Sequence, residues 1–121
     1  MAKNDLEDRL INFAVAVITL SEGLKKSYAG NHLSEQIIRS STSAALNYGE
    51  AQSAESRKDF VHKIKVVLKE LRESSVNLKI ILKANLHTDK VLLNKLIGES
   101  HELLSIFVAS VKTARQNLNK G

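Results

Sequence analysis

The sequence predicts an all-α fold, an antiparallel up-down-up-down four-helix bundle forming one domain over residues 1–121, and three observations carry that prediction. Apolar residues recur at alternating intervals of four and three along four successive stretches, the spacing that lines up one stripe on an α-helix. The 121 residues include no Pro and only five Gly, so little in them interrupts a helix. The segments between the stretches are short, and short connections make sequence neighbours antiparallel.

The first stripe is Leu6, Leu10, Phe13, Val17, Leu20 and Leu24, which predicts a helix over 5–26. Tyr28, Ala29, Gly30 and Asn31 follow as the expected turn, since Gly and Asn tolerate the left-handed conformation of a helix end. The second stripe, Leu33, Ile37, Ser40, Ala44, Asn47 and Ala51, consists largely of small and polar residues, so this helix must approach its neighbours closely. Residues 53–56 form the second turn, with Ser56 as an N-cap and Asp59 completing a capping-box-like pair.

Phe60, Ile64, Val67, Leu71, Ser74, Leu78 and Ile81 mark the third helix, which ends near 83–85. Val61, Leu68 and Leu82 widen its apolar face beyond a two-stranded seam, as a bundle requires. Thr88 or Asp89 caps the fourth helix, whose stripe is Leu93, Ile97, Ser100, Leu104, Phe107, Val111, Ala114 and Leu118. Gly98 lies off that stripe and costs about 1 kcal/mol of helix propensity.

Composition excludes several classes. With 43% apolar and 26% charged residues the chain is too hydrophobic for a disordered tail, and without Cys it has no disulfide framework or zinc-cysteine site. The opening MAKNDLEDRL carries acidic residues where a secretory signal needs a basic start and an apolar core. The longest apolar run, 13–18, falls far below the ~20 residues of a membrane span. A cytoplasmic protein with no membrane partner is therefore expected. The net charge of +5 is unevenly placed: residues 1–29 carry four groups of each sign, whereas 55–83 hold eight basic and four acidic groups and 84–121 hold five and three. A polyanion or an acidic protein is an admissible partner.

Reactive chemistry finds little support. His32, His62, His87 and His101 form no Glu-x-x-His pairing of the kind that builds di-iron sites in bundles. Neither a Gly-x-Ser-x-Gly elbow, nor a dinucleotide-binding glycine motif, nor a Walker pattern occurs. No catalytic residue, metal site or cofactor is assigned, and no enzymatic activity is expected. Arg39, Asn47 and Glu50 on the second helix, with Glu70, Glu73 and Asn77 on the third, form polar rows beside the apolar stripes. Their reading is a structural network that pairs across the interface and fixes register. A small reactive pocket is the sharper alternative, but no nucleophile supports it.

Lys58, His62, Lys65, Lys69, Arg72, Lys79 and Lys83 fall on one side of the third helix, away from its apolar stripe. Long basic side chains commonly form a solvated outer face. As a functional feature, Lys58, Lys65, Lys69, Arg72, Lys79 and Lys83 are the candidate contacts to a phosphate backbone, with affinity that falls as salt rises. Aromatic residues for base stacking are scarce, so such binding would be driven by shape and charge.

The segment from Arg39 to Glu50, RSSTSAALNYGE, together with the matching Asp59, Phe60, Glu70 and Glu73, resembles a known family. It is similar to the bacterial four-helix-bundle proteins first noticed as reading frames within 23S rRNA intervening sequences, a superfamily that also includes the accessory variability protein of diversity-generating retroelements. The resemblance implies a ring-shaped homopentamer with a basic surface that in some members binds RNA and a reverse transcriptase. It implies internal packing and polar pairing, not catalysis, for Arg39, Asn47, Glu50, Asp59, Phe60, Glu70 and Glu73. At Val76 and Asn77 the chain departs from the pattern, because similar chains often place an aromatic ring there.

Assembly also suits the apolar residues outside the main stripes. A lone bundle is expected to leave Ile11, Ile18, Ile38, Leu92, Leu96, Leu103 and Ile106 partly exposed, which predicts oligomerisation through a face of helices one and four. The resulting expectation is a non-enzymatic homo-oligomer, pentameric by resemblance, that binds RNA or another polyanion. The alternative is a protein-interaction scaffold or accessory subunit whose positive charge is incidental.

Overall fold

The structure, a computed structural model, describes residues 3–120. They form α1 (Lys3–Glu22), α2 (Tyr28–Gln52), α3 (Arg57–Lys83) and α4 (Lys90–Lys120), with no strand among the described residues. Cross-helix pairs give the direction of the α2–α3 packing and tie α4 to both α3 and α1. Glu50 meets Lys63 while Arg39 meets Glu70 and Glu73, so α2 and α3 are antiparallel. Arg57 at the start of α3 reaches Asn117 near the end of α4, and Arg9 near the start of α1 reaches Glu99 and Glu102 on α4.

The core is one contiguous cluster drawn from all four helices. Leu10, Val17 and Leu20 of α1, Ile37 and Ala44 of α2, Ile64, Leu71, Leu78 and Ile81 of α3, and Leu93, Leu103 and Phe107 of α4 are fully buried in it. Phe107 meets Tyr48 edge to face, with ring centroids 5.5 Å apart, so two of the few aromatic side chains are spent on packing. Small residues define the α2–α3 seam. Ser40 and Ser74 are both buried, their hydroxyls are 2.8 Å apart, and the Ser74 hydroxyl also donates to the Glu70 carbonyl at 3.0 Å.

Three features differ from the sequence-based expectation, each for a local physical reason. The first turn is 23–27, not 28–31, because α1 stops at Glu22 and Ser27 caps α2 by accepting a hydrogen bond from the Gly30 amide at 3.0 Å. Gly30 is helical and serves close approach, since a Cβ there would lie 1.9 Å from the Lys25 carbonyl oxygen. The buried stripe of α4 runs Leu93, Leu96, Ser100, Leu103, Phe107 and Val111, which leaves Ile97 and Leu104 half-buried at its edge. Leu96 and Leu103, expected to be partly exposed, are instead 4% and 0% exposed because α4 presents that side to its neighbours.

The remaining turns follow the expected chemistry. Ser56 accepts from the Asp59 amide at 3.0 Å, and Asp89 accepts from the Leu92 amide at 2.9 Å. Asn85 has φ 55°, and the Leu86 amide donates to the Ile81 carbonyl at 3.1 Å, the left-handed closure that satisfies the end of α3. The Lys25 amide donates to the Leu86 carbonyl at 2.8 Å, joining the α1–α2 turn to the α3–α4 turn. No described helix is long and apolar enough to cross a membrane.

Candidate nucleic-acid interface

The polar rows beside the α2–α3 seam resolve into two ion-pair clusters. The Arg39 guanidinium donates to Glu70 at 2.9 Å and also to Glu73. Glu70 is almost fully buried, Arg39 is half exposed, and the hydrogen bond to Glu73 is the first cause holding the Arg39 pKa above its ordinary value. One helical stretch away, the Lys63 ammonium donates to Glu50 at 2.6 Å, and that bond raises the Lys63 pKa. Asn47 does not cross the interface: its amide donates to the Ser43 carbonyl at 2.9 Å and to the Ser43 hydroxyl at 3.1 Å, within α2.

A third cluster joins α1 to α4. Arg9 donates to both Glu99 oxygens at 2.8 Å and to Glu102 at 2.9 Å. The two-pronged bond from Arg9 holds the Glu99 carboxyl below its ordinary pKa, against the opposing effect of partial burial. Sequence reading missed this pair, because nothing in the spacing of 9 and 99 reveals their adjacency.

The cations of the α3 ridge are differently placed. Lys58, Lys65, Lys69, Arg72, Lys79 and Lys83 are all exposed, and none has a carboxylate partner among the described residues. Glu70 and Glu73, which share the helix, lie toward α2 and are engaged by Arg39. Of the acidic groups on α3, Glu70 and Glu73 are thus turned toward α2 and paired while Asp59 is exposed near the helix start, and the six ridge cations are turned outward. From Lys58 to Lys83 the ridge spans 26 residues, about 37 Å at the α-helical rise. Lys58, Lys65, Arg72 and Lys79 recur at seven-residue intervals along it, so cationic groups repeat about every 10 Å. Val76 interrupts the row with an exposed apolar side chain.

Sequence reading also missed Lys112 and Arg115. Both are exposed on α4 and line, with Arg72, a groove of about 390 Å³ between α3 and α4. Their positions on α4 alone carry no sign that α3 brings Arg72 beside them. Among the described residues no group of three or more His, Cys, Asp or Glu is arranged to hold a metal ion.

Comparison with known proteins agrees with the fold. No curated protein matches the chain. A crystal structure of a protein of unknown function from the S23 ribosomal protein family of Bacteroides thetaiotaomicron VPI-5482 is similar, with a TM-score of 0.80 and 29% identity. The match covers 88% of this chain and 98% of that one. The 23S rRNA-intervening sequence protein family matches residues 3–109, a span that takes in α1, α2, α3, the ion-paired seam and most of α4. With that span and a four-helix architecture shared with the S23 relative, the chain belongs to the 23S rRNA-intervening sequence protein family.

Proposed function

We propose that this protein is a non-enzymatic homo-oligomer that binds RNA through the basic face of α3. The observation that carries the reading is the division among its cations. Arg9, Arg39 and Lys63 are neutralised by carboxylates, whereas Lys58, Lys65, Lys69, Arg72, Lys79 and Lys83 stand exposed in one row without such partners among the described residues. A row of uncompensated charge along a rigid helix suits a ligand whose own charge is regularly spaced, and a phosphodiester backbone is such a ligand.

Assembly is supported by α1. Ile11, Val15 and Ile18 lie on one face of that helix and are 43%, 55% and 38% exposed, an apolar strip that a second copy would cover. Five copies in a ring, as the family resemblance implies, would present five ridges and multiply the effective affinity for a long polyanion. The face first expected to join α1 with α4 loses Leu96 and Leu103, which belong to the core.

The reading is tested by titrating the protein into labelled structured RNA across a salt series. Binding whose logarithm falls steeply with salt, and which is lost in the triple reversal of Lys65, Lys69 and Arg72 to Glu, supports it. Salt-insensitive binding, or a triple variant that binds as wild type, overturns it. A protein-interaction scaffold whose positive charge is incidental is the second reading, and the exposed apolar residues Ile11, Val15 and Ile18 support it; retention of a protein partner after nuclease treatment would favour it.

A further inference from the structure

The geometry points to the groove between α3 and α4 as an anchoring site for the nucleic-acid backbone, in which Arg72, Lys112 and Arg115 grip phosphates from two helices. This rests on the reading of the α3 face as RNA-binding and extends it to a second element. Leu68 and Val111, both nearly buried, and the half-exposed Val108 contribute the apolar side chains of the groove.

The charge of this groove sets it apart from the two larger ones. The α1–α4 groove, of about 750 Å³, is lined by Glu99 and Glu102 beside Lys95, and the α2–α3 groove, of about 430 Å³, by Glu73 beside Arg39 and Arg72, so each mixes carboxylates with cations. The α3–α4 groove contains three cations and no carboxylate, and those cations make no ion pair among the described residues. Low-dielectric walls on both sides strengthen a charge contact relative to one on an open helix face. Two guanidinium groups, each able to offer paired N–H donors, suit phosphate oxygens in particular.

The ligand chemistry follows from what surrounds the site. Phe13, Phe107 and Tyr48 are buried in the core, the exposed Tyr28 is on α2, and the half-buried Phe60 lies with Ala114 and Asn117 further along the α3–α4 interface, so no aromatic side chain lines this groove to stack a base. Recognition therefore falls on the phosphates and sugars, not on base identity. Arg72 belongs both to the groove and to the α3 row, so a strand anchored here continues along Lys69 and Lys65 in one direction and, past the exposed Val76, to Lys79 in the other.

The test compares two charge reversals of equal size. K112E/R115E removes the α4 side of the groove, and K25E/K26E removes the same charge at exposed positions in the α1–α2 turn. Each is titrated by fluorescence anisotropy into a labelled RNA duplex of about 20 base pairs, over a range of salt, with circular dichroism to confirm helical content. We expect K112E/R115E to weaken binding by at least about tenfold and to lower the salt slope by about 2, while K25E/K26E changes affinity by less than about threefold. Equal loss in the two variants would show that net charge alone acts, and would overturn the inference while leaving RNA binding intact. Wild-type affinity in K112E/R115E would also overturn it. Absence of binding by the wild-type protein would overturn both this inference and the functional reading beneath it, and displacement of the duplex by polyglutamate at equal charge concentration would assign the groove to acidic protein.

Discussion

Arg39 on α2 holds Glu70 on α3 at 2.9 Å, and Glu70 is the charged side chain that the described residues bury most deeply. The burial is tolerable because the carboxylate keeps a cationic partner whose other side remains in water. The pair also sets which turn of α2 faces which turn of α3, next to the Ser40–Ser74 contact.

Removing one partner should therefore cost more than removing both. Arg39→Ala strands the Glu70 carboxylate and is expected to destabilise the fold by about 2 kcal/mol, discounted for the exposure of Arg39. The double substitution R39L/E70L should recover most of that loss. Urea unfolding midpoints of the two variants check this, and equal midpoints would show that the pair contributes no coupling.

Acid should release the α1–α4 cluster. Glu99 has a lowered pKa in the folded protein, so its contribution is fully present above the ordinary carboxylate value of 4.5 and is lost as pH falls through the folded value. Glu99→Gln should lower stability at neutral pH and flatten the stability decline below about pH 4.5 relative to wild type. Thermal unfolding across that interval measures the difference.

The glycines should respond in opposite directions. Gly30→Ala drives a methyl group into the Lys25 carbonyl and should cost at least about 2 kcal/mol, because the obstacle is backbone. Gly49 and Gly98 have nothing within 4 Å of an added Cβ, so alanine at either should raise stability by about 0.5–1 kcal/mol through helix propensity.

Assembly and folding can be separated by two glutamate substitutions. Val15→Glu places charge on the exposed α1 strip and should yield smaller species by light scattering, with unchanged helical content. Leu103→Glu places charge in the core, where the side chain is 0% exposed, and should unfold the chain. A folded, dissociated Leu103→Glu protein would contradict the α4 packing.

Much of the fold was legible because its signals are local. The stripe of α3 shows a single apolar face, and Ser56 announces its own helix start. On α4, by contrast, either Ile97 and Leu104 or Leu96 and Leu103 complete a stripe, and the two overlapping stripes share Leu93, Ser100, Phe107 and Val111. Only the docking of α1 and α3 decides between them. Gly30 and Asn31 resembled a turn because glycine has two uses, and the contact with Lys25 that reveals the second is set by folding. The α3 row could be read from one helix. The groove could not, since Arg72 and Arg115 are 43 residues apart and meet only through packing.

The hydrogen bond from Lys25 to Leu86 gives the bundle a mechanical polarity. It ties two turns that belong to different hairpins, while among the described residues the backbone hydrogen bonds of 53–56 at the far end run to neighbours in sequence. Opening should begin at that far end and travel toward the tied one, as a book opens from its free edge toward its spine. The Lys25 amide, although in a turn, should consequently exchange its hydrogen as slowly as amides in the middle of α3, whereas the amides of Ser53 and Ala54 should exchange early.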